Sequence, residues 1–141
     1  MKKILALMLI LLFFVAACGK KEVKKPTADS ILATEAFALA EKVRAAYGAR
    51  DMSALQENTT PEGYKAIAEQ MKRFDSVTLE FKPLLFDIRD GKMTLYVSWT
   101  GVWKKQGQTF DERGLVILGL KGRPLKVDDV QRASPFRYPE D

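Results

Sequence analysis

The chain of 141 residues has no histidine and a single cysteine, Cys18. Cysteine–histidine zinc sites, serine–histidine–aspartate hydrolysis and cysteine–histidine nucleophiles all need residues that are missing here. With one cysteine, no disulfide can form within the chain. Only carboxylates remain as metal ligands, and no Asp/Glu cluster has the spacing of a calcium loop. The sequence has no glycine-rich phosphate loop either, so we expect neither a metal nor a cofactor.

The basic charge is concentrated at one end of the chain. The net charge is +5, and residues 1–26 account for all of it with six lysines and one acidic residue. Residues 27–141 are neutral, with seventeen basic and seventeen acidic side chains, and are enough for one domain. They show no basic stripe with interleaved aromatic residues, so we expect no nucleic-acid partner.

The first eighteen residues have the pattern of a secretory signal. Two lysines follow Met1, the unbroken apolar run Ile4–Val15 comes next, and the small residues Ala16 and Ala17 precede Cys18. A charged start, a short apolar core and a small-residue cleavage site are typical of a signal peptide. The run is shorter than the ~20 residues that a membrane-spanning helix needs. An uncleaved anchor helix is the alternative.

This stretch resembles a bacterial lipoprotein signal, in which Val15-Ala16-Ala17-Cys18 is the lipobox. The resemblance implies that residues 1–17 are removed and that Cys18 carries acyl chains, which anchor the protein stably when two or more are present. Residues 18–26, rich in lysine, then form a flexible tether. The expected location is the cell envelope. Gly19 replaces the aspartate associated with inner-membrane retention in enteric-type bacteria, which favours the outer membrane, facing the periplasm, in a Gram-negative host.

Three helices are predicted before residue 75. The first covers Thr27–Tyr47, with an apolar stripe at steps of three and four residues and Gly48 as its stop. A short second helix starts at the cap Asp51 and turns Met52 and Leu55 inward. The third starts at Thr60-Pro61, and its expected buried stripe is Tyr64, Ile67, Met71 and Phe74.

The period changes to two after Asp75, which predicts four strands in a meander. The first covers Val77–Arg89 and is interrupted at Pro83, which indicates an edge or a bulge. Asp90-Gly91 and Gln106-Gly107 predict hairpin turns. The expected pairs across the first turn include Asp87 with Thr94, Leu85 with Tyr96, Leu84 with Val97 and Pro83 with Ser98. The remaining predicted strands are Lys92–Lys104, Gln108–Lys121 and Leu125–Arg132, followed by an ordered start and a loose polar tail over Ser134–Asp141.

These elements predict an α+β domain over residues 27–141, with three N-terminal helices packed on a strongly curved, cone-like, four-stranded antiparallel meander. Between residues 29 and 136 the chain resembles the nuclear transport factor 2-like superfamily, the cystatin-like cone fold. The resemblance depends on the alanine-rich first helix, the Arg50–Leu55 turn into a short helix, and Ser134-Pro135-Phe136 after the last strand. It implies a pocket between the sheet and the helices.

Five residues are candidates to line such a pocket: Tyr64, Tyr96, Trp99, Trp103 and Asp87. The two tryptophans form either the core or the apolar wall of a ligand site. Asp87 lies in an apolar strand, where burial would raise its pKa. A ketosteroid-isomerase-like site would use such an aspartate as base beside tyrosines. The alternative for Asp87 is a position on the solvent face.

Three functions therefore stay open at the level of sequence. The favoured one is a non-catalytic envelope lipoprotein, anchored to the membrane through Cys18, whose domain binds a small apolar ligand or a partner protein. The second is an isomerase- or dehydratase-like enzyme using Asp87 and tyrosines in the cone. The third is a structural subunit of an envelope assembly, which predicts an exposed apolar patch or an uncovered edge strand.

Overall fold

A computed structural model of the chain describes residues 23–139. The predicted signal peptide, Cys18 and the first part of the tether lie outside the described residues, as do the last two residues of the predicted polar tail. From residue 23 to residue 139, no helix combines the length and the apolar character needed to cross a membrane.

The first helix, α1 (Ala28–Ala49), ends two residues later than Gly48 would have stopped it. Its cap is Thr27, whose side chain accepts a hydrogen bond from the backbone N–H of Ser30 at 3.1 Å. The chain leaves the helix at Arg50, which adopts a left-handed conformation with φ 56°. Its guanidinium donates to the carbonyl of Phe74 and lies 5.1 Å from that ring, and these contacts hold a non-glycine residue in a glycine-like conformation.

Two shorter helices follow, α2 (Met52–Glu57) and α3 (Pro61–Ala68), capped by Asp51 and Thr60 as predicted. Leu55 is fully buried, but Met52 is 37% exposed, so its predicted inward position is wrong. Because α3 ends at Ala68, Met71 and Phe74 lie beyond it, in and after a 3₁₀ turn at Met71–Arg73. Both side chains are nevertheless buried.

The sheet is an open antiparallel meander in the order β1-β2-β3-β4, which confirms the predicted α+β architecture. Its strands are β1 (Ser76–Arg89), β2 (Lys92–Lys105), β3 (Gln108–Lys121) and β4 (Lys126–Arg132). The first two hairpin turns have positive φ at both central residues: 52° and 74° at Asp90-Gly91, and 48° and 79° at Gln106-Gly107. These are the type I′ values that match the twist of paired strands.

A bulge in β1 changes the predicted register. The pairs nearest the turn are as predicted, with Asp87 opposite Thr94 and Leu85 opposite Tyr96. Leu84 has no partner, so Pro83 pairs with Val97 and Lys82 with Ser98. The predicted pairs Leu84–Val97 and Pro83–Ser98 are therefore wrong by one residue. The extra residue enters beside the proline, which disturbs the regular ladder.

The core lies between the helices and the inner face of the sheet. Its largest fully buried side chains are Trp99, Trp103, Tyr47 and Phe136. A Cβ on Gly101 would lie 2.4 Å from the Trp103 ring, so only glycine leaves room for that ring at this position. The segment after β4, residues 134–139, is called here the C-terminal strap. It covers one end of the core and places Phe136 5.0 Å from the ring of Tyr47.

Candidate functional site

Both tryptophans are core residues. Trp99 is 1% exposed and Trp103 0%, and their rings pack edge to face with centroids 6.0 Å apart. The indole N–H of Trp99 donates to the carbonyl of Ala133 at 2.9 Å, which attaches the end of β4 to the sheet. With Tyr47 and Phe136 they occupy the space where a ligand was expected. Neither indole forms the wall of an open pocket.

Tyr64 is far from the other candidates. It lies half-buried on α3, where its hydroxyl is 3.5 Å from the sulfur of Met52. It lines a surface cleft of about 410 Å³ together with Thr60 and Lys126. This cleft is on the helix side of the sheet, so Tyr64 cannot act with Asp87.

Asp87 and Tyr96 do come together, but outside the cone. Both side chains are on the face of the sheet that points away from the helices, because they alternate with the core residues Phe86 and Leu95. They line a shallow groove of about 450 Å³. The carboxylate of Asp87 pairs with Arg89 at 3.3 Å. Asp87 therefore lies on the solvent face, as one of the two sequence interpretations had it, and the hypothesis of an acid–base Asp87 inside the cone is wrong.

The outer face of the sheet carries an apolar row across three strands. Leu85 on β1 pairs with Tyr96 on β2, and Tyr96 pairs with Ile117 on β3. We call these three residues the outer row. Leu85 is 55% exposed, Leu115 beside the row is 38% exposed, and no described helix covers this face. Val102, farther along β2, is 37% exposed.

Sequence reasoning placed Leu85 and Tyr96 on one face but missed Leu115 and Ile117 as parts of the same surface. The signal was present in β3, where residues 115–118 read Leu-Val-Ile-Leu. A strand that is apolar on both faces is typical of a sheet covered on both sides. Here Val116 and Leu118 are fully buried, while their neighbours lie on the uncovered face.

Charged side chains flank the outer row on β1. Glu80 and Lys82 lie before it, and Asp87 and Arg89 lie after it. The Asp87–Arg89 pair is solvent-accessible, with side chains 32% and 80% exposed. Lys82 is exposed and forms no ion pair with any residue from 23 to 139. An apolar centre with an aromatic residue and a charged rim is the composition of a protein-binding surface.

A second charged cluster, near the first hairpin turn, has a structural role. The Asp128 carboxylate pairs with Lys121 at 2.6 Å and accepts a hydrogen bond from the Thr60 hydroxyl at 2.8 Å. The hydrogen bonds from Lys121 and Thr60 lower the pKa of Asp128. They join β3, β4 and the start of α3. Within the described range, no three Asp, Glu, Cys or His side chains are grouped so that they could hold a metal ion.

Searches of family models, of curated proteins and of solved structures found no match to this chain. Its function has to be inferred from its own residues. The outer row combines exposed apolar side chains with an aromatic residue and a flanking set of charges. The interior is filled by aromatic side chains, and Asp128 has a structural role through its contacts with Lys121 and Thr60.

Proposed function

We propose that this chain is a lipid-anchored protein of the cell envelope whose α+β domain binds a protein partner through the outer face of its sheet, without catalysis. The observation that carries the proposal is the uncovered outer row, in which Leu85 is 55% exposed, together with Leu115 next to the row on β3, which is 38% exposed. Large apolar side chains grouped on one face of a domain mark interaction sites more often than single exposed ones do.

The anchor is inferred from residues 1–18. The lipobox-like Val15-Ala16-Ala17-Cys18 supplies the acylation site, and the lysines that follow it suit an anionic membrane surface, at ~1 kcal/mol each. Residues 23–27 are exposed and non-helical, and α1 begins only at its Thr27 cap. Residues 23–27 therefore form a non-helical spacer before the first helix.

A protein fits the outer row better than a small molecule does. Small-molecule sites are concave and surround most of their ligand. The interior of the cone is occupied by aromatic side chains that are at most 1% exposed. The outer row instead extends over three neighbouring strands, and its groove is open on one side. Such a surface offers contact area to a second macromolecule.

The anchor is tested by the mass of the mature protein isolated from membranes. We expect the loss of residues 1–17 and the added mass of two or three acyl chains on Cys18. The matched control is Cys18→Ser, which should be neither acylated nor cut at this position. A membrane-extracted chain that still begins at Met1 and carries no acyl mass would contradict the lipid anchor.

The docking surface is tested by site-specific photo-cross-linking in intact membranes. A photoreactive amino acid at Leu85 should give a discrete protein adduct, identified by mass spectrometry of the cross-linked peptides. The same amino acid at Ala45, which is exposed on α1, is the control and should not give that adduct. Equal labelling at both positions, or only lipid adducts at residue 85, would refute protein binding by this face.

A further inference from the structure

The charged side chains on the outer face of β1 follow an order that would match, with opposite signs, the same strand of a second copy running in the opposite direction. From Glu80 to the end of the strand, its outward side chains are Glu80, Lys82, Leu85, Asp87 and Arg89. The bulge at Leu84 keeps Leu85 in the same series despite the three-residue step. The signs read negative, positive, apolar, negative, positive. Read backwards, every charged position carries the opposite sign.

We propose that the partner on this face is a second copy of the chain, an inference that rests on the proposed function of the outer row. The two sheets pack face to face about a two-fold axis that runs along the outer row. Rotation about this axis places Lys82 against Asp87 of the second copy, and Glu80 against Arg89 of the second copy. Each pair occurs twice, as a two-fold interface requires.

The same rotation brings an exposed leucine into the interface. Leu115 lies in the row of Lys82 and Ser98, and Gly119 lies in the row of Asp87 and Thr94. The axis exchanges these two rows, so the exposed Leu115 of each copy falls over Gly119 of the other. Gly119 is itself buried, because the side chain of Asp129 on β4 packs beside it, so Leu115 would contact both Gly119 and Asp129 of the other copy. Tyr96 meets its own symmetry copy on the axis.

The edges of the sheet are partly occupied by contacts within the chain. On β1, Pro83 has no N–H, the ladder is interrupted at Leu84, and Arg44 from α1 donates to the edge carbonyl of Leu79 at 2.9 Å. On β4, the backbone of Val127 is bonded to residues 58 and 60. Stacking on the outer face is the association that leaves these bonds intact.

The first test uses a single engineered thiol in the mature, full-length protein in detergent. In Tyr96→Cys the two thiols face each other across the axis, and a short bis-maleimide should link two copies of the chain. Ala45→Cys, on the helix side, is the control and should stay monomeric. If Cys18 were not acylated, it would act as a second thiol in both variants, so failure of the anchor is recognised separately.

The second test exchanges the paired charges and measures self-association by native mass spectrometry and sedimentation. Lys82→Glu places like charges opposite each other twice, and we expect association to weaken about tenfold. The double variant Lys82→Glu with Asp87→Lys restores opposite charges across the interface and should recover most of the self-association. Within one copy the two side chains lie on opposite sides of the outer row, so recovery reports on contact between copies.

The two tests together decide whether the partner on the outer face is a second copy of the chain. Cross-linked dimers of the Tyr96→Cys variant, together with charge rescue, support the proposal. If the same variant is linked in intact membranes to a different protein and not to itself, the second copy is overturned as partner and the outer face is kept as a docking surface. A purified chain that stays monomeric and unlinked at all concentrations would overturn the second copy as partner, and photo-cross-linking at Leu85 in intact membranes then decides whether the outer face binds another protein.

Discussion

Replacing Gly63 with alanine tests how closely α3 packs on β4. A Cβ at this position would lie 2.1 Å from the carbonyl oxygen of Val127 and 2.8 Å from its carbonyl carbon. Both atoms belong to the backbone and cannot rotate away. Both distances are far below ordinary van der Waals contact, so either the helix or the strand has to move.

The expected cost follows from the bonds that such a movement breaks. The Val127 carbonyl accepts from the N–H of Thr60 at 2.9 Å, and the Val127 N–H donates to Asn58 at 3.1 Å. Losing both costs ~2 kcal/mol, and forced overpacking adds ~1–3 kcal/mol. Alanine regains ~1 kcal/mol of helix propensity. We expect Gly63→Ala to lower the free energy of unfolding by about 3 kcal/mol.

Urea denaturation followed by tryptophan fluorescence measures this change, because Trp99 and Trp103 are both buried reporters. The matched control is Gly48→Ala in α1. Its Cβ would lie 3.8 Å from the nearest backbone atom, the carbonyl oxygen of Val77, so helix propensity should raise stability by ~0.5–1 kcal/mol. If Gly63→Ala and Gly48→Ala raise the free energy of unfolding by the same amount, α3 does not pack closely on β4 at Gly63.

Three further variants test the packing of the core and the dependence of the free energy of unfolding on alkaline and on acid pH. Phe136→Ala should cost ~3–4 kcal/mol in urea, because this ring is 1% exposed; a loss below ~1 kcal/mol would mean that the C-terminal strap is not part of the core. Burial raises the pKa of Tyr47, so stability should fall as the pH rises above its unfolded pKa of ~10. Tyr47→Phe should remove this loss of stability at alkaline pH. It should change stability little at pH 7, because the buried hydroxyl has no hydrogen-bond partner among the described residues. If the variant loses stability at alkaline pH as the wild type does, the loss comes from other groups. The low pKa of Asp128 gives stability that is present above its unfolded pKa of ~3.9 and lost as the pH falls, and Asp128→Asn should flatten that acid limb in urea titrations. Equal acid sensitivity of wild type and variant would argue against the Asp128–Lys121 pair.

Local signals in the sequence predicted most of the elements. Turn pairs such as Asp90-Gly91 need positive φ at both residues, and few other pairs supply it cheaply. Caps such as Thr60 satisfy free N–H groups at a helix start. The register beyond Pro83 was not predictable, because a proline reveals that a strand is disturbed but not on which side of it the extra residue enters. The end of α1 depended on a contact of Arg50 with Phe74, 24 residues away.

The site was less predictable than the fold. Alternation places Asp87 and Tyr96 on one face of a hairpin, but only tertiary packing decides which face the helices cover. Trp99 and Trp103 satisfied the pattern of a pocket wall and of a core equally well. Phe136 decided between them, since its ring packs 5.0 Å from Tyr47 and 6.0 Å from Phe81 in the space that a ligand would need. That contact comes from a segment with no regular secondary structure, which periodicity does not predict.

The C-terminal strap also determines when the chain can fold. Synthesis proceeds from the N-terminus, so α1 and the first hairpin emerge long before Phe136 and Tyr138 exist. Until these two rings arrive, Tyr47 and Phe74 lack neighbours that seal one end of the core. The nascent chain therefore stays without its complete core until the ribosome has passed the last strand.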